Sequence, residues 1–148
     1  MKFGTLTAAA LVLACSGGNG GLTGPGDAPP APLSYVSLAS PVLVQPITAD
    51  DMQAGRTYRF VEVEVAEVVN SRRHALSFDV HYEPPGGQRI ALGSFSLYPP
   101  DNPGRFIVPT QNRVRNEGAI VLTMTSPDTD ERTPEVRVGV RRMRFTDG

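Results

Sequence analysis

ALSFDVHYE, residues Ala75–Glu83, alternates apolar and polar side chains from one end to the other. Leu76, Phe78, Val80 and Tyr82 share one parity, and Ser77, Asp79, His81 and Glu83 share the other. Successive side chains of a strand point to opposite faces. A period of two therefore describes a β-strand with one face on a core and one toward water. Phe78 and Val80 are expected inside, Asp79 and His81 in solvent. Pro84-Pro85-Gly86-Gly87 follows at once and breaks the strand, because these residues supply turns and weaken ladders.

The same period extends outward on both sides. Upstream, Thr57–Val69 (TYRFVEVEVAEVV) sets Val61, Val63 and Val65 on one face and Glu62 and Glu64 on the other. Downstream, Arg89–Tyr98 begins with Ile90 and Leu92 in phase, then shifts parity at Gly93-Ser94 to Phe95 and Leu97. A mid-strand glycine with a change of parity predicts a bulge or tight bend. Pro99–Arg105 reads as a loop and Phe106–Val108 as a short strand. Ala119–Thr125 and Glu135–Phe145 close the pattern, joined by the polar loop Ser126–Pro134. Asp50–Gly55 (DDMQAG) suits a helical turn, and no other segment reads as helix. Short strands divided by Gly/Pro turns predict an all-β domain, an antiparallel β-sandwich or jelly-roll-like barrel, over residues 35–148.

Composition excludes some functions. The chain has 148 residues, Lys+Arg 14 against Asp+Glu 15, and no Trp. With a formal net charge of -1 there is no basic excess for a nucleic-acid partner. Lys2 is the only lysine, so every later cation is an arginine. Arginine-only usage suits bidentate anion recognition, although codon bias explains it as well.

At the amino terminus, Lys2 precedes the apolar run Thr5–Ala14 (TLTAAALVLA), which has the length of an export leader and is too short to span a bilayer. The run ends Val12-Leu13-Ala14-Cys15-Ser16. That junction resembles the lipobox of bacterial lipoproteins. The resemblance implies cleavage after residue 14, a diacylglycerol on the Cys15 thiol and acylation of the new amino terminus. Cys15 is the single cysteine and cannot form an internal disulfide, so an exported chain needs another use for it. The alternative is an incidental residue ending an ordinary secretory leader. Ser16 in the following position implies, by the same resemblance, the outer membrane with the domain facing the periplasm. Residues 15–34 then form the lipidated cysteine and a Gly-rich, then Pro-rich tether (SGGNGGLTGPGDAPPAPLS after Cys15) that is expected to stay disordered. Its coil would reach roughly 25 Å.

A second likeness lies within the domain. Phe78-Asp79-Val80, Leu92-Gly93-Ser94-Phe95, Arg105-Phe106-Ile107-Val108, Ile120–Met124 and Val136–Val140 follow one another in an order similar to the C-terminal β-sandwich domain of tyrosinases and polyphenol oxidases. In that family the domain packs on a helical copper domain and shields its active site. This chain lacks the copper domain, so the resemblance implies only a β module, or an accessory shielding protein for a separately encoded copper oxidase.

Candidate sites are few. His74 and His81 are the only histidines, too few for a metal centre without other ligands. His81 and Asp79 share a strand face and suit an acid/base pair, but a solvated face is the expectation, since no nucleophile accompanies them. Asp128, Asp130 and Glu131 crowd one loop without the glycine-punctuated pattern of a calcium loop, and read as solvated charge. Arg137, Arg141, Arg142 and Arg144 crowd the last strand. Arg137 and Arg141 have one parity and Arg142 and Arg144 the other, so a bulge is needed to bring them to one face. The shift from Val136, Val138 and Val140 to Met143 and Phe145 predicts that bulge. The row suits acidic glycans or phosphate headgroups, whereas the expectation is an edge strand protected by charge. The sequence thus points to a lipid-anchored envelope protein carrying a non-enzymatic binding or structural module. No catalytic residue, metal or cofactor is expected. The expected partners are the membrane, through Cys15, and a protein or glycan that the sequence does not name.

Overall fold

The computed structural model describes residues 31–52, 58–127 and 135–147. The leader, Cys15, the tether up to residue 30 and the acidic residues Asp128, Asp130 and Glu131 lie outside the described residues. The fold is all-β. Its strands are β1 (Ser34–Ser37), β2 (Val42–Ile47), β3 (Phe60–Val69), β4 (Ser77–Glu83), β5 (Ile90–Ser96), β6 (Gly104–Pro109), β7 (Gly118–Thr125), β8 (Arg137–Val140) and β9 (Arg144–Thr146). One 3-10 turn, Ala49–Asp51, follows β2 where a helical turn was expected.

Pairing is antiparallel and nested. β4 pairs with β5, β3 with β6, β2 with β7 and β1 with β8, as in one long hairpin rolled up around its own turn. The roll sorts the strands into two sheets, β1-β8-β3-β6 with β9 beside β3, and β2-β7-β4-β5. This is the jelly-roll form of the sandwich. The last residues of β1, β3, β5 and β7 and the first residues of β2, β4, β6 and β8 lie at one end, because Ser77 lies opposite both Ser96 and Thr125 and Val69 opposite Arg137.

The core follows the parity of the sequence. Phe78 and Val80 are 0% exposed, and Val61, Val63, Leu76, Tyr82, Ile120, Leu122, Val138 and Val140 are buried with them. Full burial of each such side chain stabilises by about 1.5–3 kcal/mol. Asp79 and His81 do lie on the opposite face, but both are half-buried rather than solvated. The register places His81 opposite Val121, whose own neighbour on the far side is Val44.

Three irregularities adjust the phase. On β5 the residue Leu92 is inserted between Gly93, opposite Val80, and Ala91, opposite His81. Leu92 and Leu97 are both buried although their parities differ, which is the bulge expected at Gly93-Ser94. On β3, Ala66 is the extra residue between Val65 and Glu67, which turns Val68 back to the core and leaves Glu67 outside. In the last segment the ladder is interrupted at 141–143, between β8 and β9.

The two long sides of the sandwich are closed differently. Where β5 and β6 face each other, Phe78, Phe95 and Phe106 stack at centroid distances of 4.9 and 4.2 Å. A side chain at Gly93 would meet Val108 at 3.0 Å, so the absence of a Cβ permits this approach. On the other side, β1 and β2 are edge strands, and Gln45 of β2 reaches across to the opposite sheet. Its amide donates to the Met143 carbonyl oxygen at 2.9 Å and accepts from the Met143 N–H at 2.7 Å. One side chain thus satisfies the backbone that the break at 141–143 leaves without a ladder partner.

One compact unit spans Ala31–Gly148. Ser34 already pairs with Val140, and the Ala31 carbonyl oxygen accepts a hydrogen bond from Arg141 at 3.1 Å. Residues 31–34 are therefore held at the edge of the sandwich, by β1 pairing at Ser34 and by Arg141 at Ala31. Their Pro-rich composition hid this, because their anchor is an arginine far along the chain.

Candidate functional site

Three of the four arginines of the last segment are held by carboxylate partners. Arg137 donates to Glu67 on β3 at 3.0 Å, and its guanidinium lies 4.7 Å from the centre of the Tyr35 ring on β1. The Tyr35 hydroxyl donates to the same carboxylate at 3.0 Å. That hydrogen bond, then burial and the negative charge of Glu67, raise the Tyr35 phenol, while Arg137 opposes the shift. Arg141 donates to Glu64 at 2.9 Å. Arg142 grips both carboxylate oxygens of Asp51 at 2.7 Å. Burial pushes the Asp51 carboxyl up, but Arg142 and the Thr48 backbone and hydroxyl donors outweigh it and hold the group below its ordinary range. Arg144, exposed and opposite Glu62, makes no ion pair among the described residues.

This geometry corrects the edge-strand expectation for Arg137, Arg141, Arg142 and Arg144. β8 lies between β1 and β3, inside its sheet, and Arg137 is a cross-strand pair rather than a guard on an edge. β9 pairs only with β3, so the edge reading fits Arg144 alone. Nor is the row a ready anion site. A phosphate or uronate arriving at Arg137, Arg141 or Arg142 must displace a carboxylate already in place.

Two shallow grooves flank Arg141. One, of about 290 Å³, lies between the edge strands β1 and β2 and is lined by Pro32, Leu43, Gln45, Pro46 and Arg142 with Arg141. The other, of about 360 Å³, is open and lies over the β3 bulge between Glu64, Ala66, Gly104 and Arg105. Neither contains an acid, a base and a nucleophile set close together.

The loop end is built more deliberately. Asn70, at the exit of β3, is 4% exposed and every polar atom of its side chain is engaged. Its amide nitrogen donates to the carbonyl oxygens of His74 at 2.9 Å and Pro100 at 3.0 Å, and its oxygen accepts from the His74 N–H at 3.0 Å. One buried side chain thereby locks the β3–β4 loop to the β5–β6 loop. Arg73, in the left-handed region at φ 54, donates its N–H to the Asn70 carbonyl at 2.9 Å and pairs with Asp101 at 3.1 Å. Between the buried Leu97 and the turn closed by Asn102 N–H on Pro99 stands Tyr98, 97% exposed, at a cis Tyr98-Pro99 bond. Sequence reading placed Tyr98 at the end of a strand and Pro99–Arg105 in a loop, whereas β5 already ends at Ser96. The one available signal was an aromatic residue set immediately before a Pro-Pro pair.

The histidines do not converge. His74 is tied by its backbone to Asn70, while His81 sits on the outer face of the β2-β7-β4-β5 sheet. Among the described residues, His74 Nε2 and His81 Nδ1 are buried without a hydrogen-bond partner, and no group of three His, Cys, Asp or Glu side chains could hold a metal ion. Comparison of the chain with protein-family models, curated proteins and solved structures finds no match.

Proposed function

We propose that this protein is a lipid-anchored envelope protein that displays a non-enzymatic binding module on a short tether. The observation that carries the reading is the succession of an apolar leader, the single Cys15 and a Gly/Pro-rich stretch directly ahead of a jelly-roll domain. In this reading Cys15 carries the acyl chains, each methylene contributing about 0.8 kcal/mol to membrane attachment. The tether holds the sandwich off the outer membrane on its periplasmic side. Support for binding rather than chemistry comes from the loop end, where a rigid backbone presents a side chain that does nothing for the fold. Metabolic labelling with radioactive palmitate, followed by membrane fractionation, tests the anchor. Label in the wild type and none in Cys15→Ala is the expected result, and equal label in both overturns it.

A further inference from the structure

We infer that the loop end around Tyr98 is a saccharide-binding site, with the Tyr98 ring stacking on the apolar face of a pyranose unit and Arg73 and Asp101 taking its hydroxyl groups. The inference deepens the binding reading above and rests on it. Three observations converge. Tyr98 is 97% exposed, whereas the other tyrosines are half-exposed or buried. A ring that contacts nothing in its own fold adds no stability, so its retention at a rigid corner needs another reason. That rigidity is the second observation. Leu97 is buried and its N–H donates to the Leu76 carbonyl at 3.0 Å, Asn102 donates to Pro99 at 3.1 Å, and Asn70 holds Pro100 at 3.0 Å. A partner meeting this backbone loses little conformational entropy, because the site is ordered beforehand. The third is the Arg73–Asp101 pair at 3.1 Å, in the two loops that Asn70 joins. It offers donors and an acceptor at the surface, with side chains 61% and 37% exposed. Arg73 holds a left-handed backbone that a non-glycine residue adopts at a cost of about 1–2 kcal/mol, a form of strain concentrated at functional sites.

Size decides between a saccharide and a protein partner. A stable protein interface buries about 800 Å² on each side. A tyrosine offers roughly 150–250 Å². A single ring flanked by prolines and one ion pair matches one or two sugar units. The pyranose C–H face is apolar and its carbon-bound hydrogens are slightly positive, which suits the negative face of an aromatic ring. Its rim of hydroxyls suits a carboxylate and a guanidinium, each of which forms charge-assisted hydrogen bonds. So small a contact is weak alone. On a tethered protein facing a polymer of repeating units it gains from high local concentration and many equivalent sites.

The test uses the full chain and three probes: purified peptidoglycan sacculi, chitohexaose and cellohexaose. Because the chain has no Trp, its emission comes from tyrosine, and Tyr98 dominates the part that iodide can quench. Protection of the wild type from iodide by at least one probe is expected, and sacculus co-sedimentation and titration calorimetry, which do not depend on the Tyr98 signal, should show Tyr98→Ala weakening binding on the order of tenfold or more at an unchanged melting temperature. Tyr98→Phe keeps the ring and should bind within about twofold, since only the hydroxyl is lost. Equal binding by Tyr98→Ala and wild type, or no binding of any probe, overturns the site. So does a photo-crosslinker at position 98 that captures polypeptide and no glycan. Cys15→Ala, run in parallel, should bind the saccharide normally, which separates this result from the fate of the lipid anchor.

Discussion

Gln45 makes a sharp test of how the two sheets are held together. Its amide satisfies both the N–H and the carbonyl of Met143, at 2.7 and 2.9 Å, inside the break between β8 and β9. Gln45→Leu keeps the size of the side chain and removes both hydrogen bonds. Each is worth about 0.5–1.5 kcal/mol net, and a buried backbone group left without a partner costs about 1–3 kcal/mol. The site is partly buried, so water recovers some of this and the expected loss is about 2–4 kcal/mol. For a domain of this size that corresponds to a fall in Tm of roughly 10–20 °C. Gln45→Glu refines the test. A carboxylate still accepts from Met143 N–H but faces the Met143 carbonyl with no proton to donate. Its protonated form restores both bonds, so folding raises the pKa of the introduced carboxyl above the ordinary value of about 4.3. The sign follows: the stabilisation is present below that value and lost as pH rises through the folded-state pKa. Urea titrations at several pH values, with the slope m checked for constancy, measure all three chains. A Gln45→Leu chain within about 0.5 kcal/mol of wild type would falsify the claim that this residue staples the sheets.

Other perturbations follow from the same geometry. Phe78→Ala removes a fully buried ring in the stack with Phe95 and should cost about 3–5 kcal/mol in denaturant titration; a loss below 1 kcal/mol would mean the core collapses around it. Gly118→Ala should destabilise by about 2 kcal/mol or more, because at φ +152 its new Cβ would lie 2.4 Å from the Glu83 carbonyl oxygen. Gly86→Ala, with nothing within 4 Å at φ +65, should lose only about 1–2 kcal/mol from backbone strain, and equal losses at the two positions would contradict the clash. Asp51, held below the ordinary value of 3.8, adds stability that is complete above that value and lost as pH falls through the lower folded-state pKa. Acid titration of Asp51→Asn should therefore show a shallower decline than wild type, and parallel curves would refute the assignment.

Central strands were legible in the sequence because burial on one face writes a period of two. β3 and β4 each sit between two neighbours and keep Val61, Val63, Val65, Phe78 and Val80 on the core side. Two faults elsewhere could be read, the step from Leu92 to Phe95 at the β5 bulge and the step from Val140 to Met143 at the break before β9, whereas the β3 bulge at Ala66 could not. β1 and β2 were not legible, and the reason is physical. β2 is an edge strand that carries apolar residues on both faces, with Val44 54% exposed and Ile47 in the core, so no alternation appears. Its Pro46 also reads as a breaker, although an edge tolerates a missing donor. Asn70 and Gln45 escaped notice for a different reason. A polar side chain that satisfies distant backbone leaves no pattern in composition or spacing, since Met143 lies 98 residues from Gln45. The partners of the arginines were equally invisible from the last strand alone.

Those partners also decide where recognition belongs. If Arg137, Arg141 and Arg142 were to bind an anion, Glu67, Glu64 or Asp51 would lose its counter-charge, and the incoming group would gain only the difference. Exposed pairs are worth about 0–1 kcal/mol each, so they do not block exchange by strength. What they remove is the net positive potential that would draw an acidic ligand in the first place. Arg142 also fixes the 3-10 turn through Asp51, and Arg141 fixes Ala31 at the entry to the fold, which gives both a structural task. Three arginines of the last segment are therefore already matched by carboxylates and shape the sandwich, while Arg144 makes no ion pair among the described residues. At the loop end the balance is reversed: the backbone is satisfied internally by Asn70, and the Tyr98 side chain is left over. A group the fold does not use, on a frame it holds still, is where a binding function has room to act.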